Sequence, residues 1–328
     1  MQKYLIIQLD DTSVSYCHYG NNKTERKLIS IDDLKAGIVY AMKENLTILF
    51  VYPNYELPEK YKDVINTIDH SDIVSSRCED IALLEKADII VFNGWTGLDE
   101  CDFAVNTVCV LRTSRADLFE RYLSLTAVLS RVMRLNVVIT DVETFTDPDF
   151  DKYKSVLKSL SGGIEKLYVE GKSPQLNLLT DRMMLDNMNN CNAGWENITL
   201  APDGKFYVCP AFYLAGDEEY YGLGKAKFCI SDLQNGLDIK NPQLYQLDHA
   251  PLCRNCDAYQ CKRCVWLNRK TTYEINTPSH EQCVVAHLER NASHELLNYI
   301  RQHGTFMPGK EEIKKIDYLD PFDVQKEW

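Results

Sequence analysis

Four cysteines fall within twelve residues of this 328-residue chain: Cys253, Cys256, Cys261 and Cys264, in the run C-R-N-C-D-A-Y-Q-C-K-R-C, with spacings x2, x4 and x2. Thiolates are soft anionic ligands, and closely spaced pairs bring them to one point, which suits zinc or an iron–sulfur cluster. A single structural zinc usually takes two such pairs about 12 or more residues apart, each on its own knuckle, so four intervening residues make the crossing cramped. Dense runs are familiar from iron–sulfur proteins, where the last cysteine of a run can ligate a second cluster. On that logic Cys253, Cys256 and Cys261 share one cluster and Cys264 crosses to another.

Cys191, Cys209 and Cys283 bracket the run and bring the candidate ligands to seven, whereas Cys229, in an apolar stretch, is expected in a core. Arg254, Lys262, Arg263, Arg269 and Lys270 surround the run. Cations near a thiolate-bound cluster stabilise its negative charge and raise its potential. Cys283 falls in the first turn of a helix announced by Pro278 and the capping-box pattern Ser279-x-x-Gln282, where the helix dipole favours thiolate over thiol. That helix is expected to run to about Gln302, with His287 and His294 on its surface.

The elements that must position these ligands show in the hydrophobic pattern. Strands are expected at Tyr4–Leu9, Leu46–Val51, Asp88–Phe92, Thr107–Leu111, Asn136–Thr140 and Leu167–Val169. Helices are expected at Ile31–Lys43, Glu59–Ile68, Glu79–Lys86, Arg115–Arg134, Asp149–Leu160 and Leu178–Met188. This alternation gives parallel strands joined by crossover helices, as an open sheet or a partial barrel. Glu196–Leu200 and Lys205–Val208 form a hairpin around the turn Ala201-Pro202-Asp203-Gly204, ending at Cys209. Cys101 and Cys109 read as buried residues. The helix start at Arg112–Arg115 reads as a capped terminus, and Asp141, Glu143 and Asp147 as a solvated turn.

The net charge of −12 argues against nucleic-acid binding. No apolar run approaches the roughly 20 residues of a membrane span, and Met1–Leu9 lacks the basic start of a secretory signal. A cytoplasmic protein is expected, in which 12 cysteines stay reduced or bind metal.

Cys191, then Gly204-x4-Cys209, then the four-cysteine run, then Cys283 resembles the SPASM domain, a seven-cysteine module appended to radical S-adenosylmethionine (AdoMet) enzymes that modify peptides. The run is one residue shorter at two places than that family's usual x5 and x3. The resemblance implies two [4Fe–4S] clusters. Cys253, Cys256, Cys261 and Cys283 would hold one, and Cys191, Cys209 and Cys264 the other, with an open iron or one filled by a group such as Cys229. It also implies a fold: a partial (β/α) barrel of the radical AdoMet type over 1–188, a SPASM-like domain over 189–303 and a charged tail over 304–328.

Such barrels carry Cys-x3-Cys-x2-Cys after the first strand. Here Asp10 and Val14 stand at the first two places, and only the third cysteine, Cys17, is present. Val51-Tyr52-Pro53-Asn54 stands where the family has Gly-Gly-Glu after the second strand. AdoMet cleavage is therefore not expected. A degenerate barrel with an intact SPASM-like end resembles the CXXX repeat peptide maturases. The expected function is an iron–sulfur maturase or accessory protein for a ribosomally made, cysteine-containing peptide, beside a catalytic radical AdoMet protein. The alternatives are a structural zinc-binding interaction module and an active radical AdoMet enzyme.

Overall fold

The computed structural model describes residues 2–100, 106–214, 228–310 and 312–313. Cys101 and most of the expected tail lie outside them. The chain forms two compact units: Met1–Phe92 with Asn192–Ala250 and Val265–Asn276, and Asn93–Cys191 with Pro251–Cys264 and Thr277–Trp328.

The first unit is built on an apolar strand, β1 (Tyr4–Gln8), whose Leu5 and Ile7 are fully buried. Helix α1 (Ile31–Glu44) opens where Ser30 Oγ accepts the Asp33 N–H and closes at Asn45 in the left-handed conformation. It returns the chain to β2 (Thr47–Val51), parallel to β1 from Tyr4↔Thr47 to Gln8↔Val51. Helix α2 (Glu59–Ile65), β3 (His70–Ser75), α3 (Ile81–Lys86) and β4 (Ile89–Asn93) repeat the crossover.

Strand β3 was not expected, because only its last residues are buried and its first three are polar or half-buried. On the other side of β1 lies β8 (Asn197–Leu200), also parallel. It makes the expected hairpin with β9 (Lys205–Tyr207) around Gly204, whose φ of 76° favours a residue without Cβ. Helix α8 (Pro210–Leu214), β10 (Cys229–Asp232), β11 (Gly236–Leu237) and helix α9 (Val265–Thr272) complete this unit. Its strand order is β11-β10-β9-β8-β1-β2-β3-β4. Cys229 is half-buried at the start of β10, not a core residue.

The second unit has three parallel strands, β5 (Val108–Thr113), β6 (Arg134–Ile139) and β7 (Gln175–Leu176), paired from Val108↔Arg134 to Thr113↔Ile139 and at Arg134↔Gln175. The long helix expected after Ser114 is two short ones, α4 (Arg115–Arg121) and α5 (Ser124–Leu129), and its last residue already belongs to β6. The start of α4 is satisfied from within: Ser114 caps it, and Asp141 Oδ1 accepts the Arg115 N–H at 2.7 Å.

Helix α6 (Asp147–Val169) is much longer than expected and absorbs the segment expected as a strand at Leu167–Val169. The glycine pair Gly162-Gly163 is no helix stop. A Cβ at Gly163 would lie 2.6 Å from Thr126 Oγ1, so the glycine lets α5 approach α6. Short α7 (Thr180–Met184) follows, and α10 (His280–Gln302) opens with Ser279 Oγ accepting the Gln282 N–H.

The packing of α10 on α6 centres on a buried polar link. Tyr153 Oη of α6 donates to Glu289 Oε1 at 2.7 Å, and Gln260 Nε2 donates to Glu289 Oε2 at 3.3 Å and to the Ala286 carbonyl at 2.6 Å. Burial pushes the Glu289 carboxyl up to about 7, against the pull of these two donors. An unfolded glutamate titrates near about 4.3. Between those values the folded chain binds a proton that the unfolded chain has lost, so stability falls as pH rises through that window. Melting temperatures of the Glu289→Gln variant should lose this slope between about pH 5 and 7.5. Profiles that stay parallel to those of the parent chain would remove Glu289 as its cause.

Candidate metal centre

The segment Pro251–Cys264 has no regular helix or strand, so other contacts must hold its thiols in place. Two tight turns shape it, with Cys256 N–H donating to the Cys253 carbonyl at 3.0 Å and Cys261 N–H to that of Ala258 at 2.9 Å. Main-chain bonds tie it to the stretch before Cys191: Asn189 N–H to the Tyr259 carbonyl and Cys191 N–H to that of Lys262, both at 2.7 Å.

Side chains complete the anchoring. Arg290 Nη1 of α10 donates to Asp257 Oδ1 at 2.5 Å, and Arg182 of α7 lies 4.0 Å from Asp257 Oδ2 and 4.2 Å over the Tyr259 ring. Arg263 is fully buried at a φ of 42°, and its Nε donates to Asn190 Oδ1 at 2.6 Å.

Within this unit Cys253, Cys256, Cys261 and Cys283 line one cavity of about 330 Å³. Three of these thiols come from the irregular loop and the fourth from the first turn of α10. They are the four that the resemblance assigned to one cluster. His287, Arg263 and Arg290 share the cavity wall. Backbone N–H groups already face two of the sulfurs, Ala258 N to Cys256 Sγ and Arg263 N to Cys261 Sγ, each at 3.5 Å. Burial pushes the Cys253 thiol up to about 11 and that of Cys261 to about 12, and it raises Cys256 as well. Even beside these guanidiniums burial wins and the thiols keep their protons, so a metal centre binding them must displace those protons. Among the described residues, no three His, Cys, Asp or Glu side chains are gathered closely enough to hold a single metal ion.

Of the other expected ligands, Cys191 and Cys264 lie in this second unit and Cys209 in the first. Cys264 is buried, and Cys191 and Cys209 are half-buried.

The cations differ from those expected. Arg254, Lys262 and Lys270 are not buried, and Arg269 is buried within the first unit. Of that group only Arg263 lines the cavity. The missed partners are Arg182, Asp257, His287 and Arg290. His287, expected at the surface, is 4% exposed with Nε2 3.5 Å from Cys256 Sγ. A signal was available: His287 and Arg290 follow Cys283 by four and seven residues, which places all three on one helical face. His294 is half-buried, with Nδ1 against the Ile313 carbonyl.

The donor set fits an anionic thiolate-bound group. Four thiols border one space, backbone N–H groups face two of them, and the 1% exposed Arg290 contributes a buried Nη2 with no hydrogen-bond partner among the described residues.

The loop after β1 does not fit the cluster that cleaves AdoMet. Asp10 is fully buried, and its carboxylate accepts from Thr12 N–H at 2.8 Å, Thr12 Oγ1 at 2.6 Å and Tyr55 Oη at 3.0 Å. Asp11 pairs with Lys23 at 3.0 Å and accepts from Tyr213 Oη. Val14 is buried, with its N–H on the Tyr52 carbonyl, and Cys17 is the loop's single thiol.

No protein-family model matches the chain, and no curated protein matches it in sequence. Solved structures do match in fold. Polyhistidine-tagged anSMEcpe with bound AdoMet aligns over 92% of this chain and 100% of its own, at 12% identity and a TM-score of 0.62. Native anSMEcpe with bound AdoMet and Cp18Cys peptide aligns over the same shares, at 10% identity and a TM-score of 0.58. The form with bound AdoMet and Kp18Cys peptide covers 91% of this chain and 99% of its own, at 10% identity and a TM-score of 0.58. The α/β architecture expected from the alternation of strands and helices is therefore present, and along nearly its whole length this chain has the fold of anSMEcpe.

Proposed function

We propose that this chain is an iron–sulfur protein of peptide maturation, a SPASM-type maturase or accessory protein acting on a cysteine-containing peptide without cleaving AdoMet itself. The observation that carries this is the cavity lined by Cys253, Cys256, Cys261 and Cys283. A [4Fe–4S] cluster would be held there by the four thiolates and would supply one-electron transfer. The chain's own part is to deliver the thiols, exclude water and compensate charge. The peptide partner is supported by the two anSMEcpe structures that contain bound peptides. That AdoMet is not cleaved is supported by the single thiol of the β1 loop and by the satisfied carboxylate of Asp10. Electrons or peptide thiols would then meet at the SPASM-like end, with radical chemistry left to a partner protein. No helix among the described residues is long and apolar enough to cross a membrane.

Iron and zinc analysis of anaerobically purified protein tests this. A brown protein with broad absorbance in the blue is expected. It should hold about four irons per chain if the quartet alone is filled, and about eight if Cys191, Cys209 and Cys264 hold a second cluster. Colourless protein with one zinc per chain sinks the proposal. The Cys261→Ala variant should lose about four irons, and an unchanged iron content would strike Cys261 from the ligand set. Incubation with AdoMet and a strong reductant should yield no 5′-deoxyadenosine, and catalytic amounts of that product would make the chain a radical enzyme after all.

A further inference from the structure

Buried positive charge gathers around the cysteine loop from Arg290 of α10, which lines the cavity, and from Arg182 of α7. Asp257 is a single carboxylate between two guanidiniums, Arg290 at 2.5 Å and Arg182 at 4.0 Å, so one positive charge is left over. Arg290 is oriented on two edges. Nη1 is held by Asp257, and Nε donates to Asn291 Oδ1 at 3.2 Å. The side chain is 1% exposed and lines the cavity, and its Nη2 is buried without a hydrogen-bond partner among the described residues. A buried guanidinium with an unused donor is costly unless an anion meets it.

We propose that Arg290 is a positioning residue for the redox potential of the group bound in this cavity, its Nη2 donating to a thiolate or inorganic sulfide there. Asp257 acts in the opposite sense, by holding Arg290 in place while offsetting part of its charge. This rests on the cluster assignment made above. A positive charge beside a cluster favours the reduced, more negative state, so Arg290 raises the potential and Asp257 lowers it. Arg254, Lys262 and Lys270 are not buried, and water and salt screen them.

The test is an electron-paramagnetic-resonance-monitored titration of the anaerobically purified full chain with dithionite. One electron per cluster passes from dithionite and takes [4Fe–4S]2+ to [4Fe–4S]1+, with no bond broken and no proton required. The signal that disappears in Cys261→Ala identifies the cluster concerned. Arg290→Met should lower the reduced-to-oxidised ratio at a fixed poise by about tenfold, or about 59 mV for a one-electron couple. Asp257→Asn should raise the ratio, and Arg290→Lys should stay much closer to the parent chain.

Opposite signs for Arg290→Met and Asp257→Asn separate an electrostatic role from mere loosening of the loop, which would move both the same way. Equal potentials in all variants, or shifts of one sign, overturn the proposal. If Arg290→Met holds no iron, Asp257→Asn and Arg290→Lys decide it: a raised ratio in the first with little change in the second supports it, and any other pair of results overturns it. An iron-free parent chain overturns the cluster assignment itself, a failure seen before any variant is made.

Discussion

Buried charge must be balanced, and in the second unit that requirement organises the candidate metal centre. Arg290, Arg182 and Arg263 are all nearly or fully buried around a loop without regular secondary structure. Each has a local anchor: Arg290 has Asp257, Arg182 has Asp257 and the Tyr259 ring, and Arg263 has Asn190. These anchors shape the loop, but the one carboxylate of Asp257 cannot neutralise both Arg290 and Arg182. Four thiols on the same cavity wall are the natural counter-charge once they lose their protons. Burial holds those protons on until a metal centre displaces them, so thiolate formation costs free energy that metal–sulfur bonds and the positive wall must offset.

Helix α10 turns that balance into geometry. Over about two turns it presents Cys283, His287 and Arg290 on the face towards the cavity, while Glu289 reaches Tyr153 of α6 and Gln260 of the loop. The irregular loop takes its register from hydrogen bonds and an ion pair to α10 and from main-chain bonds to the stretch before Cys191. A candidate ligand set divided between a helix and a loop cross-braced at Asp257, Tyr259 and Gln260 is pre-organised, with three thiols from one short run and the fourth, Cys283, from α10.

The loop after β1 in the first unit shows the opposite condition. Asp10, Asp11, Thr12, Lys23, Tyr55 and Tyr213 satisfy one another, and Arg26 lies 4.1 Å over the Tyr55 ring. The carboxylates are matched by hydroxyls and a lysine within the same unit. The second unit therefore keeps a buried cation with an unused donor beside thiols, while this loop of the first unit has closed its polar groups on themselves.

The chain sequence by itself determined the seven candidate thiols, the cap at Ser279, the hairpin turn at Gly204 and the alternation that gives parallel strands, because each is a local pattern read over a few residues. It was silent or misleading where distant groups decide. Helix α6 runs on through Gly162-Gly163, past the end that local pattern suggested, with Ile164 and Leu167 buried beyond the pair and Gly163 leaving room for Thr126 of α5. The polar start of β3 hid a strand whose register comes from β2 and β4. Local charge density pointed to Arg254, Lys262 and Lys270, which stay outside the buried interior. Tertiary structure instead brought in Arg182, His287 and Arg290, from helices that begin about 70 residues before the four-cysteine run and about 15 after it. Ligand spacing is a short-range property that sequence records directly. The partners of a buried charge are set by which surfaces fold against it, and only the packed chain decides them.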